Sequence, residues 1–536
     1  MASTDALESA ETLRDQVVRG DTVDQAEIAT LVLSDDSDLR AIGLHVRVLL
    51  DMRSAVGHAG KLAKIEKYSR QFTIDVVQNV GQLCGEIRPF VEACKQIGLQ
   101  AAQQDDVNRA LTHFQLCVDR AGINGERRSP LTAGLTGYLH DSEIDQSLAH
   151  LGAKYVNALS WKPRVPVAKV AILVSALIDN NAPSMVSYSY ARGLKDLGLD
   201  VTVVSTEYGK SEQAQIFARH KNEGIPVLRL AEGAFLDRTV AATSWFHQQE
   251  FDAVLWVVTP MDILARFLGC TRIAPIQVFA NIAGEPFAGE YDALLARGSK
   301  EQEIATIWPG RTHFTGNFVT IGSEIDLAKP YDRQTFSLDQ TALIVGTFGR
   351  IEKCLARPYV DGILNILESV PESVLFLVGP GRKEDVESLQ DIFAKRGVLK
   401  RVQFFGSRQS DLPSLYKNLD LYCDNSGGQS VIEAMWAGLP IVAWSGPIDD
   451  MLQFLVPKMA KEKPLGAQMY LGSSDWVADP KVPSSYSDLA VTLLRNGNLR
   501  AKVGESNAAM AHVRHNPKNS MSQLHDLVNS ISRKLH

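Results

Sequence analysis

Four strand-to-loop junctions in the second half of the chain carry residues that could handle a phosphorylated ligand. The first, residues 346–353, brings Arg350 and Lys353 in just after an apolar run. Two cations there can neutralise a diphosphate and stabilise it as a leaving group; a surface turn with solvated charges fits the same residues. The second junction is 379–382, with Gly379, Gly381 and Arg382, and the third is 406–408, with Gly406, Ser407 and Arg408. Glycine permits close approach of a ligand to the backbone, and it serves equally well in a plain turn. The fourth junction runs through Gly427, Gly428, Gln429 and Ser430 straight into an apolar helical stretch, 431–437. Amides at a helix N-terminus form a general phosphate site. Glu433 falls in the first turn, where a carboxylate can accept both hydroxyls of a ribose diol. The same residue also completes a capping box that starts at Ser430, so the two readings compete.

Displacing a phosphorylated leaving group also calls for a group to accept a proton. Glu285, beside Gly284 after a strand end, and Asp179, after the first strand of the central region, are the candidates, with His313 in what reads as a loop. Asp36 and Asp38 form an Asp-x-Asp pair, but in the helical N-terminal part, where an acidic turn between helices accounts for them; Asp449 and Asp450 are a bare pair. No metal and no cofactor are expected.

These junctions need strands and helices to hold them. Residues 170–174, 201–204, 227–230, 254–258 and 276–279 are short apolar runs of the kind that form strands buried on both faces. A second series follows at 343–345, 374–378, 402–405, 419–423 and 441–443, with helical patterns between. Strands alternating with helices predict doubly wound parallel sheets, and two such series predict two facing Rossmann-like domains. Ligands then bind at the carboxyl ends of the strands. Before residue 155 the pattern is helix after helix, with Pro89 and Pro130 the only prolines ahead of a linker at 161–166. The predicted organisation is an all-helical domain over 1–160, a first Rossmann-like domain over 165–328, a second over 335–510 and a C-terminal helix over 511–536.

Composition narrows the class. With 536 residues, 45% hydrophobic and 22% charged, the chain is an ordinary globular protein. A net charge of −7 gives no support to nucleic-acid binding. Cys84, Cys94, Cys117, Cys270, Cys354 and Cys423 form no C-x-x-C pair and suit a reducing compartment. The polar N-terminus lacks a signal core, and the longest apolar stretch, 167–178, is too short to span a bilayer. A cytoplasmic location with no transmembrane segment is expected.

The run 402–406, the segment 412–416 and the stretch from Glu433 through Gly438 to Val442 resemble the donor domain of GT-B glycosyltransferases. The resemblance touches the retaining family 4 and the inverting family 41, which holds the O-GlcNAc transferases and the bacterial cytoplasmic adhesin N-glycosyltransferases. Residues 348–353 resemble the F-N-x-x-x-K loop of family 41, with Gly349 in the asparagine position. Residues 435–440 resemble its L-W-A-G-x-P motif. Residues 272–278, followed by Gly284-Glu285-Pro286, resemble its R-x-A-P-I-Q segment and the G-H/Y-P that follows. Family 4 pairs two glutamates eight residues apart, whereas Asn425 stands eight residues before Glu433.

What the resemblance implies is a metal-independent hexosyltransferase. A UDP-sugar is its co-substrate, with Lys353 on the diphosphate and Glu433 on the ribose. Arg350, Ser407, Gly427, Gly428, Gln429 and Ser430 are the further donor-binding candidates. A protein side chain is the implied acceptor, and transfer inverts the anomeric centre. The resemblance does not assign the catalytic base. A retaining enzyme building a polysaccharide or lipid-linked glycan, and an inactive nucleotide-binding interaction protein, are the alternatives.

Overall fold

The computed structural model describes residues 23–32, 88–125, 135–156, 163–179, 181–208, 215–280, 289–296, 312–314, 318–408, 411–425, 428–444, 475–479 and 484–535, with scattered positions besides. It divides into two compact units. One comprises Met1–Val156 with Gly233–Asp237, and the other Asn157–Glu232 with Arg238–His536.

The first unit is helical where it is described: α1 (Gln25–Val32), α2 (Arg88–Gln103), α3 (Val107–Gly125) and α4 (Ser142–Tyr155). Helices α2 and α3 pack against each other, burying Val91, Ala101, Leu111, Phe114 and Val118. Asp141 caps α4 by accepting the amides of Glu143 and Ile144. The Asp36–Asp38 pair lies outside the described residues, as do Asp449 and Asp450.

In the second unit, a seven-stranded parallel sheet has the order β3-β2-β1-β4-β5-β6-β7. Its strands are β1 (Lys169–Val174), β2 (Asp200–Ser205), β3 (Val227–Arg229), β4 (Ala253–Val257), β5 (Ile276–Ala280), β6 (Ala293–Ala296) and β7 (Thr312–Phe314). Every residue of β4 and β5 is buried, which is why they read as unbroken apolar runs. Helices α5 (Ala182–Asp196), α6 (Gln215–Asn222), α7 (Phe235–Gln249) and α8 (Ile263–Gly269) lie between strands.

A six-stranded parallel sheet follows, in the order β10-β9-β8-β11-β12-β13. It comprises β8 (Leu343–Phe348), β9 (Ser373–Val378), β10 (Val402–Gly406), β11 (Leu421–Cys423), β12 (Ile441–Trp444) and β13 (Val477–Ala478). Its helices are α9 (Gly322–Leu327), α10 (Arg357–Ser369), α11 (Lys383–Lys395), α12 (Leu412–Asn418), α13 (Gln429–Trp436), α14 (Ser485–Arg495) and α15 (Gly497–Arg514). The last helix, α16 (Pro517–Leu535), returns to the first sheet and buries Met521, Leu524 and Val528 in its core.

Three expectations need correction. Gly346, Thr347 and Phe348, read as loop, end β8, where Thr347 and Phe348 are buried. His313 is a strand residue, paired in register with Leu295. Strands β6, β7 and β13 are additional: four, three and two residues long, they lack the length that makes an apolar run legible.

Candidate functional site

Strand order decides where a ligand would sit in the second sheet. The order reverses between β8 and β11, because the chain winds outward through β9 and β10 on one side and β12 on the other. Loops leaving those two strands diverge, and the crevice they open is the usual ligand position in a doubly wound sheet.

The β8 loop supplies Arg350 and Lys353, the latter within a short 3-10 turn, Ile351–Leu355. Arg350 is exposed and pairs with Glu352 at 3.1 Å. Burial holds the Lys353 ammonium below its ordinary pKa. Arg350 adds to that effect, while Asp424, at the end of β11, opposes it. A cation in that condition gains most from an arriving anion, which restores its charged form.

Three adjacent strand ends are stitched together. The amide of Gly349 donates to Val378 O at 2.8 Å, Ile351 to Pro380 O at 2.9 Å, and Gly379 to Gly406 O at 2.8 Å. Gly379 has φ 151°, and a Cβ there would lie 1.8 Å from the Gly349 carbonyl oxygen. The glycine is required by this packing, not by a ligand. Ser407 lies exposed just beyond Gly406. Arg382 and Arg408 pair locally with Asp385 (2.8 Å) and Asp411 (3.1 Å).

On the other side of the crevice, β11 leads to α13 through Asp424 and Asn425, whose amide donates to Cys354 Sγ at 3.2 Å. Gly427 lies outside the described residues. Gly428 is the N-cap of α13, at φ 120°, a conformation open to glycine, and no side chain caps the helix. The capping box expected from Ser430 and Glu433 is therefore absent. Ser430 sits one residue inside the helix, and Glu433 points into the interior. Without a side-chain cap, the first amides of α13 keep the character of an anion site.

Glu433 is only 6% exposed. Its Oε2 accepts from Tyr416 Oη at 3.0 Å, and its Oε1 accepts from Thr320 Oγ1 at 3.0 Å. Burial pushes its pKa up from 4.5 to about 7, against the hydrogen bonds from Tyr416, Thr320 and Gln429. Tyr416 is itself wholly buried, with its ring 4.4 Å from that of Phe348. Gln429 reaches beyond Glu433 as well: its Nε2 donates to the Phe318 carbonyl at 3.0 Å. Thr320, 113 positions from Glu433, carried no signal in the sequence; Tyr416, 17 positions away, lay in the 412–416 segment but was given no role at Glu433.

Residues 332–448 match the family model described as Glycosyl transferases group 1. No curated protein sequence is significantly similar to the chain. Among solved structures, a Thermobaculum terrenum O-GlcNAc transferase mutant aligns over 100% of this chain and 99% of its own, with TM-score 0.53 and 16% identity. Anabaena Alr3699/HepE in complex with UDP and glucose aligns over 68% of this chain and 100% of its own, with TM-score 0.52 and 17% identity. Staphylococcus aureus TarM, in complex with fondaparinux, alpha-GlcNAc-glycerol and UDP, aligns over the same shares, with TM-score 0.51 and 11% identity. The chain has the GT-B fold and carries a glycosyltransferase domain over 332–448. Its two parallel sheets are the two Rossmann-like layers of that fold.

The first sheet of this glycosyltransferase treats its own switch point differently. There the ends of β1 and β4 are joined, the Thr259 amide donating to Ser175 Oγ at 3.1 Å. Asp262, fully buried, accepts from Thr206 Oγ1 at 2.5 Å and caps α8 through the Ala265 amide. Burial raises its pKa. Asp179, a candidate base, is occupied as well: its two oxygens accept the amides of Gln215 (2.9 Å) and Ile216 (3.0 Å) at the start of α6. Its position is that of a helix cap. Glu285 lies outside the described residues.

The segment 272–278 does structural work. Arg272 grips Asp292 with two bonds, of 2.9 and 3.0 Å. The buried Gln277 accepts from Ile273 N at 3.1 Å and donates to the Glu290 carbonyl at 2.7 Å. The motif thus fastens β5 to β6. No helix among the described residues is long and apolar enough to cross a membrane.

Proposed function

We propose that this glycosyltransferase transfers a hexose-type sugar from a UDP-sugar to a protein side chain, with inversion and without a metal. One observation carries the reading. Lys353 and the uncapped start of α13 flank the β8/β11 switch point, and Glu433 lies just over one turn further along the same helix. A diphosphate between the first two puts a ribose within the reach of the third. Lys353, Arg350 and the amides from Gly427 to Ser430 take the diphosphate, Ser407 borders it, and Glu433 takes the ribose diol.

The UDP part is supported by HepE and TarM, structures of similar fold that hold UDP. The protein acceptor is supported by the family 41 resemblance of 272–278 and 435–440, and by the whole-chain alignment with an O-GlcNAc transferase. Glu285 is retained as the base; Asp179 is assigned to capping. The retaining alternative draws on the group 1 match of residues 332–448, and the anomeric configuration of the product by NMR separates the two. Incubation with a panel of nucleotide sugars and a cell lysate, followed by mass spectrometry, tests the whole reading. Modified protein in the UDP-sugar lanes is expected. Free or lipid-linked glycan products in place of modified protein would reject the protein acceptor, and no turnover of any UDP-sugar would reject the donor.

Glu433 gives the reading a pH signature. A diol donates to the ionised carboxylate, so UDP affinity should rise as pH climbs through about 7. Glu433→Gln should weaken UDP binding by about 1–2 kcal/mol above that pH and flatten its share of the dependence. Subtracting variant from wild type cancels the titration of the nucleotide's own phosphate. Stability runs the opposite way. The folded pKa is raised, so the stabilisation is complete below the ordinary 4.5 and is lost as pH rises to about 7. Melting curves should therefore show Glu433→Gln gaining on wild type across that window. Calorimetric affinities identical at all pH values would remove Glu433 from the donor site.

The helical unit should have no part in donor binding, because every proposed donor residue lies after residue 340. A chain beginning at Arg164 should bind UDP within a few-fold of the full protein. A folded truncation that no longer binds UDP would contradict this.

A further inference from the structure

Residues 318–326, which lead from the first sheet to the second, are tied to α13 at three points. Gln429 Nε2 donates to the Phe318 carbonyl, Thr320 Oγ1 to Glu433 Oε1, and Trp436 Nε1 to Asp326 Oδ1, each at 3.0 Å. These few residues also change cores. Phe318 belongs to the core of the first sheet, with its ring edge-on to Tyr190 at 5.0 Å. Val319, Ile321 and Ile325 belong to the core of the second. The Val319 amide donates to the His515 carbonyl at 3.0 Å, where the chain crosses back toward α16. Both passages of chain between the two sheets are therefore bonded to each other, and one of them holds the carboxylate assigned to ribose.

That carboxylate is covered. A side chain with 6% exposure cannot receive two more hydroxyls until one of its partners moves. Tyr416 is wedged in the core between Phe348 and Tyr422 and has no room to leave. Thr320 is partly exposed and sits in a bend outside any helix or strand. Gln429, the third partner, is anchored to the Phe318 carbonyl, so Thr320 is the partner that can yield.

We propose that Thr320 is a built-in stand-in for a ribose hydroxyl: it occupies Glu433 in the nucleotide-free protein and gives the carboxylate up when the donor binds. The proposal rests on the reading of Glu433 as the ribose acceptor and adds two consequences. Thr320 lowers donor affinity by competing for the same oxygen. Its release loosens the crossover segment, so filling the nucleotide site changes the restraint between the two sheets.

The test uses the full-length chain and UDP. Thr320→Val keeps the side-chain shape and removes the competing hydroxyl. It should tighten UDP binding about two- to tenfold, the range expected when one hydrogen bond no longer competes. Thr320→Ser keeps the hydroxyl and should match wild type. In the Glu433→Gln background, Thr320→Val should no longer tighten binding. Amide hydrogen exchange gives a readout that needs no variant: exchange over 318–326 should rise when UDP is added to wild type. In Thr320→Val it should already be high without UDP. A folded Thr320→Val protein that binds UDP no better than wild type, or UDP-induced protection of 318–326, overturns the proposal. If Glu433→Gln leaves UDP affinity unchanged, it is the ribose assignment that fails. If Glu433→Gln weakens binding while Thr320→Val is neutral, only the exchange fails.

Discussion

Lys353→Ala is expected to cut turnover or donor affinity ten- to hundredfold while leaving the fold as stable as before, or more so. The proposed bond from Lys353 to a diphosphate is charge-assisted, worth about 1.5–3 kcal/mol, and about 1.4 kcal/mol corresponds to one decade. Its stability effect should have the opposite sign. Burial and Arg350 hold the ammonium below its ordinary pKa, so the empty site carries the cation at a cost, and alanine removes that cost. A structural lysine behaves the other way, losing stability and function together. Steady-state kinetics beside a melting curve distinguishes the two patterns. Full activity in the variant would leave Lys353 as a partly buried cation with no part in donor binding and take the diphosphate assignment with it.

Gly379→Ala should be the most damaging single change near the site, although glycine touches no ligand in the proposed reading. The added methyl would lie 1.8 Å from the Gly349 carbonyl oxygen, in a backbone conformation of φ 151° that side chains rarely adopt. Neither obstacle can be relieved by a rotamer change, because the opposing atom is backbone. A loss of about 3 kcal/mol or more is expected, along with weakened UDP binding, because the displaced Gly349 lies next to Arg350 and four residues before Lys353. Denaturant melts with parallel UDP titration would check it. Wild-type stability would mean that the ends of β8 and β9 are not packed as described.

The central strands were legible for one physical reason. A parallel sheet covered on both faces demands continuous apolar residues, and β1, β4, β5 and β9 supply them. Strands β7 and β13 were not legible, because Thr312–Phe314 and Val477–Ala478 are too short to display a pattern. The start of α13 shows a different failure. Ser430 and Glu433 have the spacing of a capping box, but Gly428 starts the helix earlier, and a spacing rule cannot see where a helix begins. Glu433 was singled out from sequence; its hydrogen bond to Thr320, from 113 positions away, is a tertiary fact with no local trace. The 272–278 motif was recognisable, but its Asp292 partner was not. The Asp179 cap escaped notice because Gln215 is 36 positions downstream.

The return of α16 to the first sheet has a consequence for biosynthesis. Ser532 Oγ donates to the Arg164 carbonyl at 2.6 Å, and Asn529 Oδ1 accepts the Val167 amide at 2.8 Å, across 368 and 362 residues of chain. The hydrophobic core around β1 includes Met521, Leu524 and Val528. A ribosome that has finished the first sheet must still translate the entire second sheet before the helix that seals the first one emerges. At about 5–20 residues per second, that leaves the apolar surface under α16 uncovered for roughly 10–45 s. During that interval the early sheet is a client for a holdase chaperone, and a stop codon that deleted only the last helix would injure the earliest-made sheet and spare its neighbour in sequence.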